Sequence, residues 1–139
     1  METRVTLLTW NHACSVGVLA MDDQHGILMD TINELCLALV RGSDGELIGE
    51  LVERLLAFTR MHFENEEQLM LLNGFPGLEE HRAAHRLLLE QVRSGAYHLQ
   101  HGEGVRMRAL LGSLRNGYME HIERLDRAYG PWLNARGVC

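Results

Sequence analysis

The chain has 139 residues, of which 46% are hydrophobic and 23% charged, and this composition excludes an intrinsically disordered protein. Thirteen basic residues, all of them Arg, against 19 acidic residues give a net charge of −6, which argues against binding to nucleic acid or to an anionic membrane. A single domain over residues 1–139 is expected at this length, as a monomer or weak homo-oligomer. The N-terminus carries no apolar segment long enough for a signal peptide or membrane span, so we expect a cytoplasmic location.

Four helices are predicted in chain order, separated by short stretches rich in helix-breaking residues. Residues 1–20 are expected to form an irregular packed arm, after which Asp22 or Asp23 can cap the first helix. Apolar residues then recur three and four positions apart, which is the helical period. This pattern predicts helices over about 22–41, 46–72, 78–99 and 105–129, with Gly130 and Pro131 ending the last one.

Short connections force consecutive helices to run antiparallel. The predicted fold class is therefore all-α, an antiparallel up-down-up-down four-helix bundle with an N-terminal arm. Three scattered cysteines, an odd number, argue against a disulfide framework.

Histidines are unusually frequent, and several fall on the predicted core faces. A spacing of four residues puts two side chains on one helix face, as for His62 with Glu66 and for His81 with His85. A buried imidazole without partners costs about 1–3 kcal/mol, and a buried carboxylate costs more unless it is paired or binds a metal. In an up-down-up-down bundle the inward-facing polar residues meet at one end, and together they indicate a metal site: His25, His62, Glu66, His81, His85 and His121.

Asp126 is not placed by ideal helical geometry. It follows His121 by five residues, which is about 140° around an ideal helix. Asp126 is therefore either a solvated surface acid or, through a wider helical turn or an approach from the helix flank, a member of the cluster.

The order of these residues resembles that of the hemerythrin family, in particular the bacterial hemerythrins. The segment from Asp22 to His25 matches the D-x-Q-H motif, and the segment from His62 to Glu67 matches H-F-x-x-E-E. The pair His81 and His85 and the segment from His121 to Asp126 match the two remaining motifs. The resemblance spans nearly the whole chain, and it favours Asp126 as a seventh member of the cluster.

The resemblance implies two non-haem irons. One would be held by His81, His85 and His121 and the other by His25 and His62. Glu66 and Asp126 would bridge both irons, together with an oxo or hydroxo group from solvent. These donors fill all but one of about twelve positions on two six-coordinate irons, which leaves a place for O2 or for an anion such as azide.

The implied function is reversible O2 binding by a carrier, store or delivery protein rather than an enzyme. Five imidazoles against only two carboxylates favour this function over the oxidase chemistry of carboxylate-rich di-iron proteins. The alternatives are a di-iron enzyme that is peroxidase-like or reacts with nitric oxide, a sensor of O2 or redox state, and an iron-handling protein.

Gly117 and Tyr118 depart from the Trp-Leu pair that bacterial members of the family commonly carry before the last histidine. We expect both residues at the ligand pocket. Tyr118 is either a core tyrosine with a hydrogen-bonded hydroxyl or a donor to the bound ligand. Gly117 either opens a channel towards the irons or leaves a gap that Tyr118 fills. The three other histidines, His12, His98 and His101, match no ligand position and are expected at the surface.

Overall fold

The computed structural model describes residues 7–102 and 104–139, without the side chains of residues 104–107. Its elements are a 3-10 turn His12–Cys14, α1 Leu19–Val40, α2 Gly45–Leu72, α3 Leu78–Gln100, α4 Gly104–His121, a π-helical segment Ile122–Asp126 and α5 Arg127–Asn134. Helix α1 packs on α2, α2 on α3, α3 on α4 and α4 on α1. This closed arrangement confirms the predicted all-α antiparallel bundle. The part of the predicted arm over residues 1–6 lies outside the described residues.

Helix α1 begins at Leu19, earlier than the predicted position 22. The N–H groups of Met21 and Asp22 both donate to the carbonyl of Val18, at 3.0 and 2.9 Å, so the first turn is already closed there. The Asp22 carboxylate instead accepts from the Val16 N–H and the Ser15 hydroxyl, each at 2.8 Å. Asp22 therefore fastens the arm to the bundle rather than capping the helix.

The helical path continues beyond Gly130 and Pro131, where the sequence predicts an end. Proline removes one hydrogen bond without preventing the next, because the Ala135 N–H donates to the Pro131 carbonyl at 3.0 Å. A Cβ at Gly130 would collide with the carbonyl oxygen of Val16, so the glycine is needed for the close approach of the arm. Gly130 thus serves the packing of the arm on α5, and the pair does not end the helix.

The buried interior has two apolar clusters with a polar layer between them. The larger cluster, named the apolar half, includes Leu28, Ile32, Leu35, Leu55, Phe63, Leu88, Leu111, Leu114 and Tyr118. The smaller cluster includes Met21, Met70, Leu78, Ile122, Tyr129 and Leu133 and packs against the N-terminal arm. Along α1 to α4 the predicted metal-site residues fall between members of these two clusters, whereas Asp126 lies between Ile122 and Tyr129 of the smaller one. Among the described helices, none has the length and hydropathy needed to cross a membrane.

Candidate metal centre

The seven predicted site residues form one buried layer, named the polar layer. Each is between 0 and 5% exposed: His25, His62, Glu66, His81, His85, His121 and Asp126. Their ligand atoms fall into two groups in which all atoms lie within 4.8 Å of one another. One group contains His81, His85 and His121, the other contains His25 and His62, and both contain Glu66 and Asp126. The structure therefore brings together all seven residues in two sets that share their carboxylates.

Glu66 lies at the centre of the polar layer. Its Oε1 atom is 3.2 Å from His62 Nε2 and 3.1 Å from His85 Nε2. Its Oε2 atom is 3.2 Å from His25 Nε2 and accepts a hydrogen bond of 2.6 Å from the Tyr129 hydroxyl. One carboxylate thus faces imidazoles of both groups, as a bridging ligand must.

The π-helical segment decides the position of Asp126. Its wider turn carries Asp126 round to the face of His121, so that Asp126 Oδ1 lies 3.0 Å from His121 Nε2. The same oxygen is 2.7 Å from His81 Nε2, and Oδ2 is 3.0 Å from His25 Nε2. Of the two positions that the sequence left open for Asp126, the structure has the one inside the cluster.

The Nε2 atoms of His62 and His85 point in directions that suit a cation between them and Glu66. His62 Nδ1 donates to the amide oxygen of Gln24 at 2.7 Å, and His85 Nδ1 donates to the Glu67 carboxylate at 2.9 Å. A neutral imidazole that donates from Nδ1 has a lone pair on Nε2. Both Nε2 atoms then direct lone pairs at Glu66, an arrangement that repels unless positive charge lies between them.

The surroundings of Asp126 also indicate a cation in the polar layer. Both of its oxygens are buried and have no partner in hydrogen-bond geometry, although imidazole nitrogens lie close by. The Nε2 atoms of His81 and His121 also face each other, at 3.2 Å. Carboxylate oxygens without a hydrogen bond, next to imidazole nitrogens that face each other, are what a set of metal ligands needs, because its lone pairs converge on one point. The residues present therefore fit a bound metal.

The electrostatics of the polar layer favour positive charge. Burial opposes the charged form of His25, but the facing carboxylates of Asp126 and Glu66 outweigh it and raise the pKa of His25 to about 10. Burial is likewise outweighed at His121, whose pKa is raised by Asp126. Burial would raise the pKa values of both carboxyl groups, yet the surrounding imidazoles hold them below their usual range. A metal cation can take the place of these protons.

Sequence reasoning assigned no role to several residues that contact the layer. Tyr129 holds Glu66, and Gln24 and Glu67 hold the outer nitrogens of His62 and His85. Phe63 stacks on the His85 ring, with centroids 3.8 Å apart and planes at 4°. Gln24, Phe63 and Glu67 all lie within the D-x-Q-H and H-F-x-x-E-E motifs, so these motifs were the available signal.

Tyr118 is buried, and its hydroxyl forms a 2.6 Å hydrogen bond with the Thr59 hydroxyl. Its ring lies 6.2 Å from that of Phe63. Burial raises the pKa of Tyr118, so the phenol stays protonated. Gly117 borders a surface cleft of about 160 Å³ that is also lined by Leu88 and His121. A Cβ at Gly117 would lie 3.2 Å from Leu88 Cδ2.

The histidines outside the polar layer differ in exposure. His12 and His101 are exposed, as predicted, whereas His98 is half-buried beside Tyr97. None of the three joins either group of ligand atoms in the polar layer.

Comparison with known proteins decides the family. The model of the hemerythrin HHE cation binding domain matches residues 16–133. The chain belongs to the hemerythrin family. This confirms the resemblance found in the sequence, and hemerythrins bind O2 at non-haem iron.

Similar proteins cover nearly the whole chain. A bacteriohemerythrin of Methylococcus capsulatus is 30% identical over 132 residues, 94% of this chain and 100% of that protein. A bacteriohemerythrin of Stenotrophomonas maltophilia is 29% identical and covers 94% of this chain and 84% of its own length. The crystal structure of a wild-type hemerythrin superposes with a TM-score of 0.84 at 29% identity, over 92% of this chain and 98% of that one. This hemerythrin-like bundle therefore carries a buried cluster of histidine and carboxylate side chains that could hold metal.

Proposed function

We propose that the protein binds O2 reversibly at a non-haem di-iron centre. His81, His85 and His121 would hold one iron and His25 and His62 the other, with Glu66 and Asp126 shared between them. The observation that carries this proposal is the division of the donor atoms into two groups with both carboxylates in common. When bound there, two ferrous irons would supply the two electrons needed to hold O2.

The ratio of imidazole to carboxylate ligands supports O2 binding rather than oxidation of a substrate. Di-iron proteins of the ferritin type surround their metals mostly with Glu side chains, and negative ligands stabilise oxidised iron. Here five imidazoles accompany only two carboxylates. Such a set stabilises the ferrous state and favours release of O2 over its further reduction.

The surroundings support slow autoxidation, in which reduced O2 leaves and ferric iron remains. Leu28, Leu55 and Phe63 are almost completely buried in the apolar half, and the Phe63 ring lies against His85 of the polar layer. An apolar wall excludes solvent and keeps charged species from leaving. A carrier, store or delivery protein needs this protection, because a centre that O2 has oxidised to ferric iron no longer binds O2.

We further propose that Tyr118 and Gly117 border the ligand pocket. Tyr118 contributes its ring, since the hydroxyl is engaged by Thr59. Gly117 leaves a cleft open beside His121, on the side of the three-histidine group, as an entry route for small anions such as azide towards the open position at the two-histidine group. Peroxidase-like or nitric-oxide chemistry is the alternative function, and this cleft is the feature that favours it.

The test is anaerobic reconstitution with ferrous iron, followed by cycles of O2 and argon. We expect two irons per chain and a visible charge-transfer band that appears with O2 and disappears under argon. Irreversible oxidation in the first cycle contradicts O2 carriage, and steady turnover with peroxide and a reductant supports the enzyme. His85→Ala is expected to lower the iron content, whereas the matched control His101→Ala, at an exposed histidine, keeps two irons.

A further inference from the structure

The two histidines with described outer partners differ in what holds them. His62 Nδ1 donates to the neutral amide of Gln24, and His85 Nδ1 donates to the carboxylate of Glu67. His62 and His85 belong to different groups of the polar layer, so each group contains one of these two hydrogen-bonded histidines. The candidate centre is therefore asymmetric in its outer contacts as well as in its number of histidines.

The Glu67 carboxylate is held beside His85 by hydrogen bonds to both of its oxygens. Its Oε2 atom accepts from His85, and its Oε1 atom accepts from Arg82 Nε at 3.2 Å. Arg82 in turn donates from a terminal nitrogen to Glu79 at 2.8 Å. The Glu67 side chain is 26% exposed and that of Glu79 is 78% exposed, so a chain of charged groups leads from the polar layer to the surface.

A carboxylate on the outer nitrogen of a ligating histidine changes the electronic character of the ring. It draws the Nδ1 proton towards itself and so raises the basicity of Nε2, which becomes a stronger donor to a metal. A neutral amide fixes the orientation of the ring with much less electron donation, because hydrogen bonds to charged groups are roughly twice as strong as neutral ones. Arg82 moderates the effect by competing for the charge of Glu67.

We propose that Glu67 is a positioning residue that makes the His81, His85 and His121 group the stronger electron donor and thereby sets the redox potential of the centre. The proposal rests on the proposed function, because it assigns a bound metal to each group. It predicts that the iron at this group is the more easily oxidised of the two.

The decisive variant is Glu67→Gln, which keeps an acceptor for His85 and removes the charge, as Gln24 does for His62. In an anaerobic redox titration of the iron-loaded protein we expect the midpoint potential to rise. A tenfold change in the one-electron equilibrium, about 59 mV, is the expected size. Glu64→Gln, at an exposed carboxylate on the same helix, is the matched control and leaves the potential unchanged.

Two further variants test whether the midpoint potential falls when an outer partner becomes more negative. Arg82→Gln frees the charge of Glu67 and lowers the potential, whereas Arg86→Gln, at the exposed arginine after His85, does not. Gln24→Glu gives His62 a carboxylate partner and also lowers the potential. The Arg82 variant keeps Glu67 in place, so the proposal remains testable if Glu67→Gln does not fold.

A second readout uses Zn²⁺ instead of iron and needs no O2 chemistry. In ¹⁵N-labelled protein loaded with Zn²⁺, the Nδ1 proton of His85 should resonate at lower field than that of His62, and the two should converge in Glu67→Gln. Equal resonances in the parent overturn the proposal. An unchanged potential in a Glu67→Gln protein that holds two irons and binds O2 also overturns the proposal. In that case the proposed function, O2 binding, still stands. A parent protein that takes up no iron overturns the proposed function itself.

Discussion

The apolar half and the polar layer are equally buried, but they are stabilised by different forces. In the apolar half, side chains such as Leu35 are removed from water at a gain of about 25 cal/mol per Å². In the polar layer, burial opposes every charge, and two carboxylates with depressed pKa values are surrounded by imidazoles. The apolar half is therefore stabilised by its own contacts, whereas the polar layer needs positive charge to balance its two carboxylates.

The largest effect is expected for Glu66→Ala. This change removes the carboxylate that faces His62, His85 and His25 and leaves the Tyr129 hydroxyl without its acceptor. We expect the protein to lose both irons and the iron-loaded form to lose about 3–5 kcal/mol of unfolding free energy. Elemental analysis and denaturant unfolding measure the two effects. Two irons per chain in this variant would mean that Glu66 is not shared by the two groups.

Leu35→Ala tests the other region. Leu35 is completely buried in the apolar half, and its truncation leaves a cavity. We expect a loss of about 2–5 kcal/mol in urea unfolding, with the iron content still at two per chain. Loss of iron in the folded variant would show that the two regions are not independent.

Tyr118→Phe lies at the boundary of the two regions and should have a smaller effect. Removal of the hydroxyl leaves Thr59 without this buried partner and costs about 1 kcal/mol. Because the hydroxyl is already bonded to Thr59, we expect the O2 dissociation rate to stay the same in stopped-flow measurements. Faster dissociation would instead identify Tyr118 as a donor to the bound ligand. Thr59→Val is the companion variant, and the two changes together should not add.

The smallest effect is expected for Gly117→Ala. The added methyl group meets Leu88 Cδ2 at 3.2 Å, while alanine gains up to about 1 kcal/mol in helix propensity, so the net change in stability should be within about 0.5 kcal/mol. Azide association should become slower because the cleft beside His121 narrows. Gly112→Ala, where a Cβ meets nothing within 4 Å, is the control that changes propensity alone. Equal azide rates in the two variants would contradict a role for the cleft.

The bundle and most of the candidate site could be predicted from the order of the amino acids alone. Apolar residues at the helical period define the inward faces, and a spacing of four keeps His62 with Glu66 and His81 with His85 on one face. These are local rules, because helix geometry fixes them without reference to distant parts of the chain. The hemerythrin motifs then added Asp126, which periodicity alone did not place.

The contacts that join distant segments emerged only in the folded molecule. The π-helical turn before α5 brings Asp126 to His121, and the arm packs so closely on α5 that Gly130 is required. The bonds from Gln24 to His62, from Glu67 to His85 and from Thr59 to Tyr118 each cross between two helices. Their partners depend on the rotation and spacing of packed helices, quantities that a one-dimensional pattern of residues does not contain.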